Sequence, residues 1–388
     1  MSPSFYEVDP DGDVELVLDK PNPQGLLPSG TLLTLLGMEN RQMHSKLKTS
    51  PLSQSRPFSA ATTAAYLFQP LTTHAPLTTV TPVANDLGCV TKQSANPFNS
   101  IQYLPKDDRP RQSTFRFRVS SKHLILASSV FRKMLNGPWK EGTTSRESLR
   151  SLSASDWDVD ALLMLLNIVH GHHRKVPKYL CLKALTNFAI IVDYYNCHEI
   201  VEIFADRWLN GMEGNLPSFH GPNSTFHLCV AWVFKWSEQV EAMTQLGLRH
   251  GEGPIETNLP IAEILEKIDI KRQDLIAHLF DALDKLRDSL RRGEEACSFE
   301  CSSMLFGCLM KGMHEINSVD HPAKRPYTGY SIAHLMQSIS DFQSPRWYSL
   351  TDLSHKGRNL HSCTLAQKTQ PIVDGMEKLM KEFTLKDV

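Results

Sequence analysis

"SSKHLILASSVFRKMLNGPW", residues 120–139, is the stretch from which the rest of the chain is read. Its spacing predicts one amphipathic helix with both ends marked. Ser120 or Ser121 supplies the N-cap, because a short hydroxyl side chain accepts from the orphan amides of a first turn. Leu124, Ala127, Ser128, Phe131 and Leu135 follow at i, i+3, i+4, i+7 and i+11, a single stripe of a 3.6-residue period. Gly137 is expected to close the helix as a left-handed C-cap, and Pro138 forbids continuation. Arg132, Lys133 and Asn136 fall on the other face. No nucleophile, metal cluster or phosphate loop accompanies the stretch, so it reads as a packing element.

On its N-terminal side, "TFRFRV" (114–119) alternates Phe115, Phe117 and Val119 with two arginines, a half-buried strand with one basic face. Further back, "DGDVELVL" (11–18) gives a turn and a strand with Val14, Leu16 and Leu18 on one side. Asp9, Asp11 and Asp13 invite a calcium-loop reading. The glycine comes too early for one and no terminal glutamate follows, so a polar turn is expected. Between the two strands, residues 31–112 are rich in Ser, Thr and Pro ("SPLSQSRPFSAATTAA", "PLTTHAPLTTVTP"). Such composition does not offset ordering entropy, so the segment is expected to be a disordered insertion or tether. Within it, "TLLTLLGM" (31–38) is given no more than a local helical turn.

On the C-terminal side, "SRESLRSL" is a short strand candidate and "SDWDVDALLMLLNIVHG" a buried central helix, capped by Ser155 or Asp156 and closed by Gly171. The loop "HGHHRKVPK" with His170, His172 and His173 reads as a solvated turn. "LKALTNFAIIVDYY" and "HEIVEIFADRWL" each carry an apolar stripe. Residues 220–388 are mainly helical. Residues 261–290 place leucines and isoleucines near a 3.5-residue spacing that Arg272 interrupts, which favours packing on neighbouring helices over a free coiled coil. The expected class is α+β, a small sheet with helical hairpins, followed by an α-helical domain.

Composition bounds the function. The 388 residues are 41% hydrophobic and 21% charged with a net charge of −1, enough for a core and without the basic excess of a dedicated nucleic-acid or membrane-surface protein. No run approaches the roughly 18–20 apolar residues of a membrane helix. The N-terminus is acidic, and neither a secretory nor a transit signal fits it. Eight dispersed cysteines read as reduced thiols, hence cytoplasm or nucleus.

"CSFECSSMLFGC" is the strongest metal candidate. On one continuous helix Cys297, Cys301 and Cys308 share a face, but structural zinc needs four convergent ligands and His314 would point away. The three are therefore read as small core residues, with no metal and no cofactor assigned. His361 and Cys363 could form a thiol–imidazole pair, but no third group is positioned by the sequence. No catalytic residue is assigned. The competing reading is a metal-binding or thiol-dependent enzyme centred on Cys297, Cys301 and Cys308 with His361 and Cys363.

Taken in order, the strand Val14–Leu18, the Leu124/Ser128/Phe131/Leu135 pattern, Trp139–Glu141, the Ile168–Gly171 helix end and the Ala189/Asp193/Tyr194 helix leading to Trp208 resemble the BTB/POZ domain, and within it the BTB-containing proteins of filamentous fungi. The resemblance implies a BTB/POZ fold over 113–210 with its first strand in 11–30, the insertion 31–112, and a helical C-terminal domain over 220–388. It also implies protein–protein association: a homodimer formed through the first helix and strand, and in many members docking to a cullin-3-type ubiquitin ligase. Two departures are the serines at 120 and 121, where animal members carry a histidine and a basic residue, and the long insertion.

The expected function is thus a non-enzymatic, self-associating adaptor with protein partners, a cullin scaffold among them, and no direct contact with nucleic acid or membrane. A regulator of transcription acting through partners is the remaining alternative. Interface candidates are Phe115, Phe117, Val130, Met134 and Trp139, while Leu124, Ser128, Phe131 and Leu135 are the core motif.

Overall fold

The structure, a computed structural model, describes residues 5–21, 26–49, 114–137, 149–212, 216–316, 323–347 and 361–385. It is α+β and mostly helical. Four strands form one sheet: β1 (Phe5–Glu7), β2 (Val14–Asp19), β3 (Thr114–Val119) and β4 (Arg150–Ser155), in the order β1-β3-β2-β4. β2 pairs antiparallel with β3, with Leu16 opposite Phe117, and parallel with β4, with Leu16 opposite Leu152. β1 adds in parallel on the outer side of β3. The period-2 alternation explains the register. Val14, Leu16, Leu18, Phe117, Val119 and Leu152 all lose their exposure on one face, and a one-residue slip would turn every one of them to solvent.

The stretch 120–139 is not one helix. α2 (Ser121–Ala127) and α3 (Ser129–Asn136) meet at Ser128, whose backbone is extended. Its hydroxyl accepts from the Phe131 N–H (2.9 Å) and donates to the Tyr195 carbonyl (2.5 Å), so one side chain caps α3 and ties it to a distant helix end. A serine that competes for backbone partners breaks a helix this way. The apolar stripe survives the break: Leu124, Phe131 and Leu135 remain buried. Two expected caps are corrected. Ser120 makes no side-chain cap; instead Asp13, on the turn before β2, accepts from the Ser121 N–H and hydroxyl at 2.7 Å each. Gly137 is extended rather than left-handed. Trp139 and Pro138 lie outside the described residues.

α4 (Val159–Val169) is capped by Asp158, which accepts from Ala161 N–H, rather than by Ser155 or Asp156. Asp156 sits in the preceding turn with a left-handed backbone, φ 62°. α5 (Leu182–Tyr195) and α6 (His198–Met212) complete this layer, with Trp208 edge-on to Phe188.

A second core is built from α7 (Pro222–Val233), α8 (Ser237–His250), α9 (Ala262–Arg292), α10 (Phe299–Glu315), α11 (Ile332–Ser340) and α12 (Leu365–Lys381). α7 is shared: Leu228 and Cys229 enter the helical core, while Val230, Ala231 and Val233 enter the core under the sheet. The helical core also takes α1 (Ser29–Thr49), which corrects the expectation of a disordered insertion over its first part. Leu35 and Met38 are buried there. Gln42 exchanges two bonds with the His220 backbone, and Arg41 forms a two-pronged ion pair with Glu252. The rest of the expected insertion, 50–112, lies outside the described residues.

Arg272, which interrupts the apolar spacing of α9, is buried at 1% exposure. It bonds Asp269 (2.8 Å) and the carbonyls of Pro326 (2.6 Å), Tyr327 (3.1 Å) and Tyr330 (2.9 Å). A guanidinium has five N–H donors in a fixed fork, and four acceptors are aligned with it here. Among the described residues no helix is long and apolar enough to cross a membrane.

Candidate functional site

The α2–α3 hairpin is fixed from three sides, and among its otherwise polar exposed residues it leaves one large aliphatic side chain, Leu126, outside. Asp13 holds its start. Desolvation pushes the Asp13 carboxyl up, but the two bonds from Ser121 outweigh this and hold it below the usual range. His170 holds the same end: its Nε2 accepts from the Ser120 N–H (3.0 Å), so Nδ1 carries the proton and donates to the Leu166 carbonyl (2.8 Å). His170 is therefore a structural post rather than part of a solvated turn. Asp9 and His123 lie close enough to join it in a metal group. The lone pair of His170 is already used, which argues against a metal there. Tyr195 holds the centre through Ser128 and by stacking on Phe131 at 4.2 Å.

On this hairpin Leu126 is 79% exposed, and Ile125, Ala127, Val130 and Met134 are half-buried. Phe5, on the edge strand β1, is also exposed. The surrounding charge is basic, with Lys122, Arg132 and Lys133 all exposed; Arg132 reaches back to the free Ile125 carbonyl and covers the end of α2. Of the expected interface residues, Val130 and Met134 are half-buried on α3 and pack against the core under the sheet. Phe115 is half-buried and stacks on Tyr6. Phe117 has no exposure and belongs to the sheet's own core, which removes it from any interface. The motif residues Leu124, Ser128, Phe131 and Leu135 are all buried. Leu126 and Phe5 were not singled out by sequence, because the stripe rule selects residues that point inward.

A second cluster lies in the helical core. Cys297, Cys301, His361 and Cys363 place one ligand atom each within 4.8 Å of one another. Cys297 Sγ is 3.1 Å from His361 Nε2 and 3.9 Å from Cys363 Sγ. Cys301 is buried and burial pushes its thiol up to about 11; Cys297 is exposed. Cys308 is not part of the cluster. α10 begins only at Phe299, so Cys297 lies outside it, before the cap Ser298, and the expected common face of three cysteines does not form. The competing reading from sequence grouped these four residues but counted Cys308 with them, because no local spacing shows which of the cysteines the fold brings to His361. His361 Nδ1 accepts from the Cys363 N–H (3.2 Å), which puts the ring proton on Nε2, facing Cys297. In that tautomer the imidazole cannot take a proton from the thiol as a general base.

No family model, curated protein or solved structure matches the chain.

Proposed function

We propose that this protein is a non-enzymatic adaptor of the BTB/POZ type that associates with a second copy of itself through the α2–α3 hairpin and the adjoining sheet edge. The helical region then serves as the platform for a client, with a cullin-type ligase scaffold as one partner class. The observation that carries the reading is Leu126: a large aliphatic side chain, held out to solvent on a helix pinned by Asp13, His170 and, through α3, Tyr195. Rigid, partly exposed apolar surface is what an interface core needs, since little entropy is lost on docking.

Two features of the fold support it. The antiparallel β2–β3 pair with β4 parallel on the other side of β2, followed by paired helices, suits the small sheet and helical hairpins that the resemblance implies. Among the described residues β1 is an edge strand, paired on its β3 side only, and offers backbone groups on the other. The test is co-expression of two differently tagged copies. Capture of one should retain the other, and Leu126→Asp in both should abolish retention; no retention by the unaltered chain would defeat the proposal.

A further inference from the structure

We infer that Cys297, Cys301, His361 and Cys363 are the four ligands of a structural zinc ion that clips the starts of α10 and α12 together. With bonds of about 2.3 Å to sulfur and 2.0 Å to nitrogen, a zinc tetrahedron has edges of about 3.5–3.8 Å. The observed 3.9 Å between two sulfurs and 3.1 Å between sulfur and imidazole bracket those edges, and the whole set fits within 4.8 Å. Three cysteines and one histidine are a closed structural set, with no position left for substrate.

The surroundings are built for it. Cys301 lies in the first turn of α10, where its N–H is bonded by Ser298, and Cys363 directly precedes the cap Thr364 of α12. Both helices thus begin at the cluster. Three thiolates and one zinc leave one net negative charge, and two positive helix ends favour it. Trp347 stacks on the His361 ring at 4.4 Å and backs it from behind, and its carbonyl accepts from the His361 backbone N–H. Lys368 on α12 bonds Glu295 at 2.9 Å, a second tie across the same junction. The exposed Cys297 gives the metal a way in. Loading moves the ring proton of His361 from Nε2 to Nδ1, which exchanges the long bond from the Cys363 N–H for a zinc–nitrogen bond. The thiols release their protons to solvent as they bind, so uptake weakens as pH falls.

The inference stands apart from self-association, and its test reads metal alone. Full-length protein, purified with reductant and exposed to zinc, then freed of excess, should hold one zinc per chain by elemental analysis. Cobalt in its place should give the intense visible bands of a tetrahedral thiolate site. Cys301→Ser and Cys363→Ser should lose the metal, Cys308→Ser should keep it, and His361→Cys, which preserves four ligands, should keep it with a shifted cobalt spectrum. Should a ligand variant fail to fold, the cobalt spectrum of the unaltered chain still decides. Reduced protein that takes up no stoichiometric zinc or cobalt, a Cys297–Cys363 disulfide that persists in its place, or equal loss on Cys308→Ser would overturn it.

Discussion

Ser128 and Tyr195 are joined by a 2.5 Å hydrogen bond from hydroxyl to carbonyl, and through it the turn between α2 and α3 is fastened to the end of α5. Both partners are buried. Ser128→Ala removes the cap on the Phe131 N–H and leaves the Tyr195 carbonyl with only the weak Cys197 thiol donor at 3.6 Å. The two losses together should cost about 2 kcal/mol. Urea denaturation measures it; a change under about 0.5 kcal/mol, the range of an ordinary surface substitution, would mean the hinge is not held this way.

Arg272 should be far more costly to change. Arg272→Met leaves the Asp269 carboxylate without its ion-pair partner and takes the guanidinium donors from three carbonyls, of which that of Tyr327 keeps the Tyr330 N–H, a loss of about 3–5 kcal/mol. Arg272→Lys should recover little, because an ammonium cannot reproduce the planar fork. A lysine variant as stable as the parent would show that charge alone, and not geometry, is needed at this position.

Two buried histidines should make the helical core acid-sensitive. Burial lowers both His220 and His227 to about 4, with His250 adding to the effect at His220. Their folded values lie below the unfolded value of 6.5, so the unfolded chain binds more protons below that pH. Stability is therefore full above pH 6.5 and falls as pH drops toward 4, by roughly 3 kcal/mol per histidine at the limit. Among the described residues the ring nitrogens of His227 have no hydrogen-bond partner, so His227→Leu should fold and should flatten the profile. The difference between parent and variant, followed by urea midpoint from pH 7 to 4, isolates its share; identical slopes would contradict the assignment.

Leu35 separates a helix of the core from a tether. Leu35→Ala should cost about 2–5 kcal/mol, as for other fully buried leucines. A tether would lose nothing.

These positions also show which features the sequence could express. Alternation at Val14–Leu18 and Phe115–Val119, and the stripe Leu124–Leu135, are local patterns and give elements and buried faces directly. The break at Ser128 is hidden because the stripe stays in phase through it. The cap from Asp13 reaches Ser121 across 108 residues, and Cys297 meets His361 across 64; no local spacing encodes either. Leu35 and Met38 were lost in the average of a Ser/Thr/Pro-rich window, although they lie three residues apart on the one short apolar run within it. Arg272 looked like a defect in an apolar seam because its partners, the carbonyls of 326–330, lie more than 50 residues on.

The proposal of self-association is tested most directly by light scattering on the full-length chain across a micromolar concentration series, beside Leu126→Asp. The parent should show twice the chain mass and the variant a single chain mass, with the variant keeping the helix content of the parent because Leu126 is exposed and contributes little to the core. A parent that stays a single chain at every concentration would contradict it.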